Sequence, residues 1–106
     1  MDRVHKTLGN NLRYLRLAAG YNLTQAHIRY AIDGVYDRKD TVRRMELGEV
    51  TMQLVVLCRF ARFWGVSAAD LIGVDLEARD KAAGVWKEPV QPKRKEYVRK
   101  KKLGEW

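Results

Sequence analysis

Cysteine is nearly missing from this chain. Cys58 stands alone among 106 residues, so neither a disulfide framework nor a cysteine-based zinc site can be built. It lies in the apolar run LVVLCRFARFW, where it reads as a small packed hydrophobe. Proline is almost as scarce, and both copies, Pro89 and Pro92, fall in the C-terminal segment, which has little apolar periodicity and reads as extended or weakly ordered. No stretch approaches the roughly 18 apolar residues of a membrane span. The start MDRVHKTLGNN lacks the apolar core of a secretory signal, so a cytoplasmic protein without membrane association is expected. A phosphate-cradling glycine loop and a nucleophile elbow are both missing. His5 and His27 lack the carboxylate and cysteine spacing of a metal site. An enzyme is therefore not expected, nor a metal, nor a cofactor.

Positive charge is what the chain has in excess. Lys and Arg number 21 against 13 Asp and Glu, a formal net charge of +8, while 46% apolar residues suffice for one small core. Such a balance favours an acidic partner, nucleic acid or an anionic surface. The excess is uneven. Residues 1–78 hold 11 cations and 9 anions, whereas residues 79–106 hold 10 and 4, which suggests a domain over 1–78 and a basic extension over 79–106.

Apolar periodicity predicts an all-α domain of five helices. Val4, Leu8, Leu12, Leu15 and Ala19 mark the first, ending near Gly20. Thr24 can cap a second with Ile28, Ala31 and Ile32 inward, followed by a turn at Asp33 to Val35. Asp37 can cap a third, which carries Asp40 near its positive end and points Val42 and Met45 inward, stopping at Gly48. A fourth, over 51–64, is apolar almost all round, with Leu54, Leu57, Cys58, Ala61 and Trp64 on one stripe and Val56, Phe60 and Phe63 beyond it. GVSAADLIG gives a short fifth, capped by Ser67 and packed through Leu71 and Ile72. The third is unusual. YDRKDTVRRMELGE sets Arg38, Lys39, Arg43 and Arg44 around Val42 and Met45, a helix anchored by few apolar residues that presents cations to a polyanion.

Order and local signatures together resemble the helix-turn-helix domains of the Cro and phage-repressor family over residues 7–73. LGNNLRYLR is similar to the family's first helix, LTQAHIRYA to its second, TVRRMELGE to the end of its recognition helix, and FARFWGVSAADLIG to its closing pair. The resemblance implies that helix two crosses the DNA backbone and helix three enters the major groove. It also implies that Arg16 pairs with Glu46, and that Gln25, with Thr24 beside it, meets the sugar-phosphate backbone. Two segments, AGYNLTQ and YAIDGVYDRKDTV, are longer than the family's usual connections.

On this reading Arg43 and Arg44 face away from Val42 and Met45 and are candidates to read bases, because an arginine can donate a paired hydrogen bond to guanine. Arg38 and Lys39, nearer the helix start, can meet bases or phosphates. In the extension, the cations of PKRKEYVRKKKLGEW, Lys100, Lys101 and Lys102 among them, are interleaved with Tyr97 and Trp106 and can add phosphate contacts. Alternatively Val85, Trp86, Val90, Tyr97 and Val98 can pair as a strand or pack on the exposed side of helix four to build a homodimer. The expected activity is a sequence-specific regulator of transcription that binds double-stranded DNA at a palindromic operator. A dimeric phage or mobile-element repressor comes first and an antitoxin partnered by a toxin second. A third reading, of another class, is a basic adaptor that uses the extension to bind RNA, an anionic membrane or an acidic protein.

Overall fold

Leu8 and Leu12 recur at helical spacing and are buried on the first helix, α1 (Arg3–Ala18), of the computed structural model, which describes residues 3–35, 39–86 and 88. Five more helices follow among these residues: α2 (Leu23–Ile32), α3 (Lys39–Glu46), α4 (Leu54–Trp64), α5 (Ala68–Gly73) and α6 (Leu76–Ala83). The all-helical class is as expected. The number of helices is one larger, because α6 runs across the point at residue 78 where charge composition suggested that the domain ended. A basic stretch after it hid a helix with a weak apolar stripe, anchored by a single fully buried residue, Leu76.

Helix α1 packs against α3, α5 and α6, and each flank uses a different device. Toward α3 it presents Gly9. A β-carbon there would lie 2.5 Å from the carbonyl oxygen of Glu46 and 2.6 Å from that of Met45, so the two helices approach as closely as they do because Gly9 has no side chain. Toward α5 and α6 it presents Asn11, 2% exposed. Its amide nitrogen donates to the carbonyls of Leu71 and Val74, both at 2.7 Å, and its oxygen accepts from the backbone N–H of Leu76 at 3.1 Å. One side chain thereby satisfies the end of α5 and the start of α6, backbone groups that no helix can satisfy by itself. Farther along, the Tyr14 hydroxyl donates to Asp80 Oδ2 at 2.6 Å. Trp86 closes over α6, its indole N–H donating to Glu77 Oε2 at 3.1 Å and its ring lying 5.0 Å from the Lys81 ammonium.

The inner faces of α2 and α4 differ from expectation. On α2 the buried residues are Ala26 and Tyr30, while Ile28, Ala31 and Ile32 face solvent, Ile32 at 72%. On α4, which starts at Leu54 rather than Thr51, the buried residues are Leu57, Phe60 and Ala61. Leu54 is 75% exposed and Cys58 is also exposed. One cause accounts for both rotations. Tyr30 packs edge-on against Phe60, Phe63 and Trp64 at centroid distances of 4.8, 4.9 and 6.1 Å, and Trp64 donates its indole N–H to the Tyr30 hydroxyl at 3.2 Å. Aromatic rings bury more area than aliphatic chains and gain from edge-to-face geometry, so the aromatic side of each helix takes the interior. Burial pushes the Tyr30 phenol well above its usual range.

Two outcomes check this packing. Asn11→Ala leaves two carbonyls and an N–H without their partner, and at about 1 kcal/mol or more for each unsatisfied buried group the loss in urea unfolding is expected to reach about 3 kcal/mol. Burial, and then the bond to Asp80, push the Tyr14 phenol up from 10.0 to about 12. Because the folded value is raised, Tyr14 supports the fold fully below pH 10, and that support disappears as pH climbs through about 12. In an alkaline absorbance titration, Tyr14→Phe should remove one late-ionising phenol and leave the early ones in place.

Candidate nucleic-acid interface

Three buried residues position α3. Val42 and Met45 enter the core, and Glu46 is enclosed at the helix end. Arg43 and Arg44 leave from the exposed sides. Arg44 Nε lies 3.9 Å from Glu49 Oε1 with both side chains more than half exposed, an interaction worth little in water. Arg43 forms no ion pair among the described residues. Asp40 lies exposed in the first turn, close to the positive end of the helix dipole. Lys39 is the first residue of α3. Arg38, the expected cap Asp37 and Lys100 to Lys102 lie outside the described residues, as do most of the residues expected to build the extension's side of a dimer.

Glu46 is held by Arg16. The guanidinium grips the carboxylate with two bonds, Nε to Oε2 at 2.7 Å and Nη2 to Oε1 at 3.0 Å, and its remaining arm donates to the Tyr21 carbonyl at 2.9 Å. The expected pair is therefore present and buried on both sides. It ties three segments: α1, the turn before α2 and the last residue of α3. A carboxylate at a helix C-terminus opposes the dipole, and the forked contact compensates for that placement.

The start of α2 is built differently from the expected Thr24 cap. Asn22 is the N-cap. Its side chain accepts from the Gln25 backbone N–H at 2.8 Å, and Gln25 Oε1 accepts from the Asn22 N–H at 2.9 Å, a reciprocal capping box. Thr24 is exposed within the first turn, which still presents its hydroxyl to solvent. Asparagine in LTQ's preceding position was legible as a cap, but threonine lay nearer the apolar residues that suggested the helix. The capping box also decides what Gln25 can do. With one lone pair of its oxygen engaged by Asn22, the exposed side chain still has its amide N–H donors to offer, suited to phosphate oxygen.

The connection from α2 towards α3 is pinned at its first part. The N–H groups of Asp33, Gly34 and Val35 bond back to the carbonyls of Arg29, Ala31 and Tyr30, and Val35 inserts into the core. Helices α2 and α3 are in contact. Among the described residues no group of three His, Cys, Asp or Glu side chains could hold a metal, and no helix is long and apolar enough to cross a membrane. Comparison with protein-family models, characterised proteins and solved structures finds no match for the chain.

The Arg16–Glu46 geometry has a measurable consequence. Arg16→Ala or Glu46→Ala leaves a buried charge without its partner and is expected to cost about 3 to 5 kcal/mol in urea unfolding. The double alanine variant should lose clearly less than the sum of the two. Additive losses would mean that the two charges do not act on each other.

Proposed function

We propose that this protein is a sequence-specific regulator of transcription that binds double-stranded DNA, with α2 and α3 acting as a helix-turn-helix and α3 entering the major groove. The observation that carries the reading is the division of α3: Val42, Met45 and Glu46 are buried while Arg43 and Arg44 are exposed on the same short helix. Arg43 and Arg44 read base edges, and the Gln25 amide nitrogen holds a backbone phosphate at the start of α2. Repression follows from occupancy of a promoter, and the net charge of +8 adds a salt-dependent attraction to any duplex.

Two copies acting together would read two half-sites. The apolar surplus that supports a homodimer is narrower than the sequence suggests, because Phe60 is fully buried. On α4, Leu54 and Val55 are each more than half exposed, one helical turn from the exposed Cys58, while Ile28 and Ile32 of α2 and Leu47 after α3 are exposed as well. Exposed apolar side chains on α4 are surface that a second copy can cover.

The test is affinity for an operator selected from random duplexes and for its single-base variants. Arg43→Ala or Arg44→Ala should relax preference at one base position per half-site, by about 1 to 3 kcal/mol of discrimination. Gln25→Glu preserves the bond accepted from Asn22 and replaces the outward donor with a charged acceptor, so it should weaken all sequences alike. An unchanged ranking in both arginine variants would remove α3 as the reader.

A further inference from the structure

Arg59 and Arg62 stand three residues apart on α4, neighbours on one helix face, and both are exposed. Neither meets a carboxylate within ion-pairing distance among the described residues. Like charges at this spacing repel. The fold brings them to the rim of a recess. Together with Phe63 they line a groove of about 500 Å3, completed by Asp33, Gly34 and Val35 at the end of α2.

The chemistry of the lining favours phosphate. An arginine donates two parallel hydrogen bonds to a phosphate group, and two on adjacent turns can hold separate oxygens of one group. Phe63 is partly buried and Val35 almost wholly so, and an apolar floor strengthens a charged contact above it. Asp33 stands in the same groove with the opposite sign, so two positive charges face one negative, and an anion there should feel its removal. The lining also includes the first residues of the connection that leads into α3. We propose that Arg59 and Arg62 form a phosphate-binding groove that clamps a backbone phosphate of the same duplex that α3 reads; this rests on the DNA-binding reading above. The two arginines position the protein on the duplex and carry no base preference.

The experiment measures duplex affinity by fluorescence anisotropy at several salt concentrations, with a parallel calorimetric titration using pyrophosphate. The variants are Arg59→Gln with Arg62→Gln, Asp33→Asn, and, as a control for charge alone, Arg13→Gln, an exposed cation on α1. Glutamine keeps helix propensity, and circular dichroism verifies that each variant is folded. The double variant is expected to flatten the slope of log affinity against log salt by about 1.8 without changing the ranking of sequences. Asp33→Asn should tighten binding, and Arg13→Gln should alter the slope far less than the double variant. A double variant indistinguishable from Arg13→Gln overturns the duplex clamp. If the wild type then binds pyrophosphate saturably and the double variant does not, the phosphate comes from a free phosphoryl compound. Loss of neither interaction overturns the groove altogether. Should the wild type bind no duplex at any salt, the reading of α3 fails and the pyrophosphate titration alone decides the groove.

Discussion

Removing a guanidinium and a carboxylate from water costs several kcal/mol for each ion, and Arg16 and Glu46 offset that loss through two short bonds to each other and a third to the Tyr21 carbonyl. A pair so enclosed is a poor source of net stability, since well-packed apolar residues can do as well. It is a good source of geometry. The forked contact admits few orientations, so the end of α3, the last turn of α1 and the entry to α2 hold one arrangement. Gly9 complements it by letting the α3 backbone come into direct contact with α1. At Gly48, two residues after Glu46, φ is 76°, and a β-carbon there would lie 3.3 Å from the His5 carbonyl oxygen and the Lys6 α-carbon. Glycine is suited to both demands.

With α3 attached along one side, its opposite side is free. Arg43 and Arg44 are therefore exposed without needing partners inside the protein, and the buried Val42, Met45 and Glu46 hold the short helix that presents them. Rigid support behind exposed side chains reduces the ordering cost of any association they make. The capping box at α2 acts in the same direction: it fixes the oxygen of the exposed Gln25 side chain against the Asn22 N–H and so restricts where its amide can point.

The aromatic cluster has effects beyond the core. By drawing Tyr30 and Phe60 inward, it turns Ile28 and Ile32 of α2, and Leu54, Val55 and Cys58 of α4, towards solvent, and sets Arg59 and Arg62 beside the end of α2. Core geometry thus chooses which surfaces are apolar and which are cationic. The same rotation removes Phe60 from any surface that could meet a partner.

Much of the architecture was legible in the residues alone. The all-helical class, the anchoring of α3 by Val42 and Met45, and the Ser67 cap follow from local periodicity and short-range hydrogen bonding, properties that a few consecutive residues possess by themselves; the buried partnership of Arg16 and Glu46 was suggested by family resemblance. The roles of Asn11 and Gly9, the helix at 76–83 and the inner faces of α2 and α4 were decided by tertiary structure, whereas the Asn22 cap is a contact over three residues that the neighbouring Thr24 obscured. Asn11 acts through residues 60 to 65 positions away, and a lone asparagine on a helix carries no sign of such partners. α2 and α4 each present two sides that are apolar enough to bury, and periodicity cannot choose between them. The choice fell to the side whose rings found one another, because contact between distant aromatic residues exists only once the chain has folded.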